Sequence, residues 1–173
     1  LPSLRGRLAV GHCRYSTTGS TVWENAQPTL RLGVGQGSAI AIGHNGNLVN
    51  TRELLARLPG GTDMLAATTD TDVLTALIDE DRRANGGDLV ETLLRVLPGV
   101  RGAYSLVVLE TDRVVGVRDP NGFRPLALGR IAVGEGGGEA WILSSETAGL
   151  DIVGAEFVRD VEPGELVILE PGK

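Results

Sequence analysis

Cysteine is nearly absent from this sequence: Cys13 is the only one among 173 residues. A single cysteine excludes an internal disulfide and a cysteine-built metal cluster within these residues, and such usage is typical of a reducing compartment. No stretch approaches the ~18 apolar residues that are needed to cross a bilayer, and the N-terminus lacks the pattern of a secretion signal. We therefore expect a cytoplasmic protein with no membrane partner.

Basic charge is also scarce, since 16 Lys and Arg residues stand against 22 Asp and Glu residues. No Lys/Arg block is interleaved with aromatic residues, which form only 3% of the chain. The electrostatic surface that binds a phosphate backbone is therefore missing, and nucleic acid is excluded as a partner. The hydrophobic content of 42% is sufficient for the core of one domain.

Methionine occurs once, at Met64, and the chain opens at Leu1-Pro2-Ser3-Leu4. We therefore expect residues 1–173 to be a fragment of a longer protein. The first elements of its domain are expected to be missing from this sequence.

The first half of the chain contains two apolar segments, 8–10 and 38–43, each followed by a polar run. Both are predicted to be short strands that end in turns, and the second turn contains His44-Asn45-Gly46-Asn47. Residues 16–36 are rich in Thr, Gly, Ser and Asn and lack helical periodicity. This segment is predicted to be a long loop of the kind that often carries function.

Three helices are predicted in the middle of the chain. Asn50 with Glu53, and Asp88 with Glu91, have the spacing of a capping box, in which each side chain accepts from an unpaired backbone N–H. The third helix presents an apolar face and begins close to Asp70. The predicted helices cover residues 51–58, 72–84 and 89–97.

Short apolar segments separated by turn residues dominate the chain from residue 103 onward. Close links between successive strands imply antiparallel pairing. Residues 134–138 are glycine-rich but lack the context of a phosphate-binding loop, so we interpret them as a hairpin tip. Helices in the middle and strands at both ends favour an α+β fold. The predicted strands cover residues 104–110, 114–118, 125–128, 141–144, 157–161 and 166–170.

The Asn45-Gly46 pair has two interpretations. Asn-Gly is the commonest tight-turn dipeptide, so an ordinary turn is the simpler one. Alternatively, a side-chain amide N–H and a glycine backbone N–H can converge on an oxygen that gains charge when a carbonyl is attacked, which makes an oxyanion hole.

Arg14 and Asp70 are the other candidates for a binding site. Arg14 is either a solvated cation, a partner for Glu24, or a bidentate clamp on a substrate carboxylate. Asp70 either caps the helix that follows or accepts the hydrogens of a substrate ammonium. Together with an oxyanion hole, these groups would form a pocket for an α-amino acid that undergoes acyl transfer.

No nucleophile or metal site accompanies these candidates. Cys13 is interpreted as a small buried thiol within an apolar strand. His12 and His44 have no paired cysteine or carboxylate motif, so we predict no metal site.

Five motifs resemble those of known enzymes. Residues 11–19 (Gly-His-Cys-Arg-Tyr-Ser-Thr-Thr-Gly), 44–50 (His-Asn-Gly-Asn-Leu-Val-Asn) and 68–72 (Thr-Thr-Asp-Thr-Asp) are similar to the class II glutamine amidotransferases. Residues 119–126 (Asp-Pro-Asn-Gly-Phe-Arg-Pro-Leu) and 144–148 (Ser-Ser-Glu-Thr-Ala) resemble the amidophosphoribosyltransferases in particular. The resemblance implies the four-layer αββα sandwich of the N-terminal nucleophile hydrolases, with antiparallel sheets.

The resemblance also implies roles for individual residues. Arg14 would bind the α-carboxylate of glutamine, and Tyr15 and Thr17 would lie in the loop that closes over the substrate. Asn45 and Gly46 would form the oxyanion hole, and Asp70 would hold the α-ammonium. The nucleophile of the family is a cysteine at the mature N-terminus, so residues 1–173 would be a partial domain that is inactive alone.

The implied function is glutamine hydrolysis that supplies ammonia for phosphoribosylamine synthesis from phosphoribosyl pyrophosphate, in purine biosynthesis. The partner would be a phosphoribosyltransferase domain of the same polypeptide, which is not present here, in a homo-oligomer. That domain would use Mg²⁺, whereas these residues imply no cofactor of their own and do not determine whether there is an iron–sulfur cluster. The alternatives are the amidotransferase domain of another class II enzyme, such as glucosamine-6-phosphate synthase, and a non-catalytic amino-acid-binding module.

Overall fold

A computed structural model of the chain describes residues 6–14, 22–33, 39–134 and 138–171. The described residues form two antiparallel sheets and four α-helices. The strands are β1 (Thr29–Arg31), β2 (Ile40–Leu48), β3 (Gly102–Leu109), β4 (Val114–Arg118), β5 (Ala127–Val133), β6 (Gly138–Ser144), β7 (Glu156–Asp160) and β8 (Leu166–Leu169). The helices are α1 (Thr51–Leu55), α2 (Asp70–Asn85), α3 (Leu89–Val96) and α4 (Thr147–Val153).

The larger sheet has the strand order β1-β2-β3-β4-β8, and the smaller sheet has the order β6-β5-β7. Apolar side chains of α1, α2 and α3 pack with those of β2, β3 and β4 in one continuous core. This core lies on one face of the larger sheet, because alternate residues such as Ile40, Ile42 and Leu48 of β2 point into it.

The smaller sheet packs against the other face of the larger one. A β-carbon added at Gly116 would touch Leu143, so β4 of the larger sheet faces β6 of the smaller one. A β-carbon added at Gly129 would touch Leu150, so β5 faces α4 on its other side. The order of layers is therefore helices, larger sheet, smaller sheet, helix. This arrangement confirms the predicted α+β sandwich, and it leaves an opening between the two sheets.

Helix α2 is the central element of the core. The hydroxyl oxygen of Thr69 caps it by accepting the backbone N–H of Asp72 at 3.1 Å. Leu74 and Ile78 are completely buried, which follows from the apolar face seen in the sequence. The helix ends before Gly86, whose φ of 65° is readily adopted only by glycine.

Of the two capping bonds predicted at helix starts, the one made by Asp88 is confirmed and the one made by Asn50 is wrong. Asp88 caps α3 by accepting the N–H of Val90 at 2.7 Å. Asn50 precedes α1 but makes no capping bond. Its amide instead donates to the Gly99 carbonyl at 3.0 Å and accepts the Arg101 N–H at 2.9 Å. Helix α1 ends at Leu55, earlier than predicted.

Both strand predictions in the first half of the chain were wrong, one in its extent and one in its existence. Strand β2 continues through residues 44–47, where a turn was predicted, because these residues pair with β3. Residues 6–14 contain no strand, although one was predicted at 8–10. Strand β1 lies within the predicted loop, and α4 was not predicted. Among the described residues, no helix is long and apolar enough to span a membrane.

Candidate active site

A cleft of about 670 Å³ opens between the two sheets. Four of the residues predicted from the sequence line it together: Arg14, Asn45, Gly46 and Asp70. They come from three separate parts of the chain, so the fold has brought them to one place. The other two predicted residues, Tyr15 and Thr17, lie outside the described residues.

Asn45 lies inside β2 and pairs with Ser105 of β3. The interpretation of Asn45-Gly46 as a tight turn is therefore wrong. Because side chains alternate along a strand, Asn45 lies on the face opposite to the core, beside the cleft-lining residues Gly43 and Ser105. Among the described residues, no side chain or loop backbone forms a hydrogen bond with its amide.

Gly46 occupies a position that only glycine fits. Its φ is 151°, and a β-carbon there would lie 2.0 Å from the carbonyl oxygen of Ala103 and 2.9 Å from Nε2 of His44. The close approach of β2 and β3 at this point therefore depends on the missing side chain. It also fixes the backbone of Gly46 at the edge of the cleft.

Asp70 is buried at the start of α2. Its Oδ2 accepts the backbone N–H of Leu48 at 2.8 Å, and its Oδ1 accepts that of Thr71 at 2.9 Å. The cap of the helix is Thr69, so the interpretation of Asp70 as the cap is wrong. Each carboxylate oxygen has a second lone pair, which leaves Asp70 able to accept from a substrate ammonium in the cleft.

His44 was considered from the sequence only as a weak metal ligand, but it connects β2 to α2. Its Nδ1 lies 3.0 Å from the hydroxyl of Thr71, and its backbone N–H donates to Gln27 at 2.9 Å. Burial lowers the pKa of His44, although the carboxylate of Asp70 and the Ala103 carbonyl act in the opposite direction. Among the residues that the structure describes, Nε2 has no hydrogen-bond partner of good geometry. We infer a neutral ring that positions the strand beside Asp70.

Asp72 is a second residue whose role the sequence did not reveal. It is completely buried, and its Oδ2 accepts the N–H groups of Ala66 and Ala67, each at 2.8 Å. Its Oδ1 pairs with Arg31 of β1 at 2.7 Å. Asp72 therefore holds the segment that leads into α2, and with it the position of Asp70.

Cys13 contradicts the expectation of a buried thiol in a strand. It is exposed and lines the cleft beside His12. Burial and the nearby charge of Arg14 lower the pKa of His12. Within the described residues, no group of three or more His, Cys, Asp or Glu side chains is placed to hold a metal ion.

Arg124, Ser105 and Glu146 also line the cleft and were not assigned a role from the sequence. Arg124 and Glu146 belong to two of the motifs that carried the resemblance, residues 119–126 and 144–148. Their position in these motifs was the only feature of the sequence that could have identified them. The residues around them do not indicate which side chain reaches the cleft.

Comparison with known proteins gives consistent matches. The family model described as a glutamine amidotransferase domain matches residues 12–151. An amidophosphoribosyltransferase of Mycobacterium leprae is 50% identical over 175 residues, which cover 98% of this chain and 30% of that protein. The amidophosphoribosyltransferase of Bacillus subtilis is 39% identical, covering 98% of this chain and 33% of that protein. The chain thus spans about a third of the length of these curated relatives.

Solved structures show the same similarity. The glutamine phosphoribosylpyrophosphate amidotransferase from B. subtilis, complexed with ADP and GMP, superimposes with a TM-score of 0.76 at 34% identity. This match covers 92% of the chain and 32% of the solved one. A predicted glutamine amidotransferase from Pseudomonas aeruginosa superimposes with a TM-score of 0.61 at 14% identity, covering 87% of this chain and 64% of that one. The second match supports the fold alone.

Proposed function

Because the chain belongs to the family of glutamine amidotransferase domains, we propose that it forms the glutaminase site of an amidophosphoribosyltransferase. There, glutamine is hydrolysed to glutamate, and the ammonia is used to make phosphoribosylamine from phosphoribosyl pyrophosphate in purine biosynthesis. The observation that carries this proposal is the meeting of Arg14, Asn45, Gly46 and Asp70 in one cleft. The relatives that share 39–50% identity bear the name of this enzyme.

The cleft offers complementary charges to the two ends of an α-amino acid. Arg14 provides a guanidinium for the α-carboxylate, and Asp70 provides an acceptor for the α-ammonium. Asn45 and Gly46 lie beside them and would donate to the carbonyl oxygen of the side-chain amide. Donors aimed at that oxygen stabilise the negative charge that develops when a nucleophile attacks the carbonyl carbon.

By family resemblance, the nucleophile is a cysteine at the mature N-terminus, whose α-amine acts as the base. The thiolate attacks the amide carbon, ammonia leaves with the proton from the base, and water hydrolyses the resulting thioester to release glutamate. The phosphoribosyltransferase domain of the same polypeptide would receive the ammonia and bind Mg²⁺. We further propose that the full-length protein is a cytoplasmic homo-oligomer. An amidotransferase domain of another synthase and a non-catalytic binding module are not favoured by these relatives.

We expect Arg14→Lys in the full-length protein to weaken the use of glutamine by roughly 1.5–3 kcal/mol, because a charge-assisted hydrogen bond and the fork geometry are lost while the charge remains. The measurement is kcat/KM for glutamine, with ammonia-dependent synthesis as an internal reference. Arg130→Lys is a matched control, because Arg130 pairs with Glu156 outside the cleft. A parallel fall of both activities would mean that Arg14 supports the fold rather than the substrate.

We expect Cys13→Ser to leave the glutaminase turnover of the full-length protein within about twofold of wild type, despite the exposure of the thiol in the cleft. Cys13 is an internal residue, so it has no free α-amine to serve as a base for its own thiol. Turnover of glutamine by the purified variant is compared with that of wild type. Abolished ammonia release in Cys13→Ser would make Cys13 the nucleophile and overturn the assigned roles.

A further inference from the structure

Arg124 lies in the loop between β4 and β5 and lines the cleft with its side chain exposed. Eight other arginines of the described residues form ion pairs with acidic side chains, whereas Arg124 forms none with a described residue. Those eight are Arg31, Arg82, Arg83, Arg95, Arg101, Arg113, Arg130 and Arg159. In a chain with a net charge of −6, a guanidinium beside the cleft that is not committed to an acidic partner is suited to an anionic ligand.

The backbone of Arg124 is held from three sides. Its N–H donates to Oδ2 of Asp119 at 3.4 Å, and its carbonyl accepts from the hydroxyl of Ser105 at 3.1 Å and from Nε of Arg118 at 2.9 Å. Asp119 is completely buried, and its Oδ1 accepts the N–H of Asn121 at 2.9 Å. A loop with so many internal bonds fixes the backbone of its arginine before a ligand arrives, which reduces the ordering cost of binding.

These contacts place Arg124 near one end of the cleft. Ser105, which binds its carbonyl, is the direct pairing partner of Asn45. Asp70 is instead hydrogen-bonded to the backbone of Leu48. Leu48 lies three residues beyond Asn45 along β2, which corresponds to about 10 Å at the rise of a strand. The charge of Arg124 also adds to the larger effect of burial in lowering the pKa of His44, the neighbour of Asn45. Arg124 is therefore anchored at the Asn45 end rather than at the Leu48 end.

We propose that Arg124 is a further residue of the glutamine site and that its guanidinium acts on the side-chain end of the substrate. This inference rests on the proposed function. The side-chain amide of glutamine is neutral, but it becomes anionic as the attacked carbonyl oxygen gains charge, and the γ-carboxylate of the product glutamate is anionic as well. A cation at this end stabilises both anionic forms more than it stabilises bound glutamine.

The test compares Arg124→Gln with wild type in the full-length protein. We expect kcat for glutamine hydrolysis to fall by about tenfold or more, because the interaction is strongest in the transition state. KM for glutamine should stay within about threefold, whereas the inhibition constant of added glutamate should rise at least about fivefold. Arg124→Lys, which keeps the charge, should retain most of the glutamate inhibition. Arg130→Gln removes a cation outside the cleft and should change none of the three values.

The outcomes are distinguishable. If Arg124→Gln behaves like Arg130→Gln, the proposal is overturned. It is also overturned if KM and the glutamate constant rise together while kcat is unchanged, because that result assigns Arg124 to the α-carboxylate shared by both ligands. Melting temperatures of the variants check that the loop is intact, and Arg124→Met provides a second variant without the charge if Arg124→Gln does not fold. Absence of glutamine hydrolysis in wild type would instead contradict the proposed function itself.

Discussion

Replacing Asn45 with Asp in the full-length protein is expected to lower the glutamine-dependent turnover by at least about 100- to 1000-fold, the typical cost of removing one oxyanion donor. The substitution preserves the size of the side chain but replaces an amide donor with an anion. A negative charge would then lie next to the developing negative charge of the attacked carbonyl. The loss should appear in kcat more than in KM, because the donor matters most in the transition state.

Two controls isolate this effect. Ammonia-dependent synthesis reports on the phosphoribosyltransferase domain, and the melting temperature reports on the fold. Asn45 is an interior residue of β2, and its side chain forms no hydrogen bond with a described residue, so wild-type melting is expected. A variant that melts like wild type and keeps more than about a tenth of its glutaminase turnover would exclude Asn45 as an oxyanion donor, because one donor is worth more than that.

Replacing Gly46 with Ala is expected to destabilise the protein by several kcal/mol and to abolish glutaminase activity. The new β-carbon would lie 2.0 Å from the Ala103 carbonyl oxygen, so β2 and β3 must separate. Backbone strain of this type costs about 1–3 kcal/mol, and overpacking adds about 1–3 kcal/mol. The sum is a large part of the ~5–15 kcal/mol that stabilises a typical domain.

Gly43→Ala is the matched control for stability, because Gly43 lies on the same strand. A β-carbon there would have its nearest neighbour at 3.6 Å, which is an ordinary contact. Denaturant unfolding of both variants gives the comparison. Equal free energies of unfolding for Gly46→Ala and Gly43→Ala would show that the close approach of the two strands at Gly46 is not required.

Local sequence patterns were sufficient where the interaction itself is local. The spacing around Asp88 predicted the start of α3, because the capping bond joins residues two positions apart. The same spacing failed at Asn50, whose amide is used by residues 99 and 101, about fifty positions away. A pattern that extends over three residues contains no information about hydrogen-bonding partners fifty positions away.

The candidate site also shows that local features were predicted and long-range contacts were missed. The residue types of Arg14, Asn45 and Asp70 indicated an amino-acid pocket, and the fold brings them to one cleft. The strand context of Asn45 was missed because it depends on pairing with Ser105, sixty positions later. The roles of His44, Asp72 and Arg124 were missed for a related reason, since each is defined by contacts between distant segments.

The most direct test of the central claim follows the amide nitrogen of glutamine. The full-length protein is supplied with amide-¹⁵N-glutamine and phosphoribosyl pyrophosphate, and glutamate and the labelled product are measured by NMR and mass spectrometry. We predict that glutamate forms and that ¹⁵N appears in phosphoribosylamine or in released ammonium, and that both signals are lost in Asn45→Asp. Normal synthesis from free ammonia without any transfer of label from glutamine would contradict the assignment of this cleft as a glutaminase site.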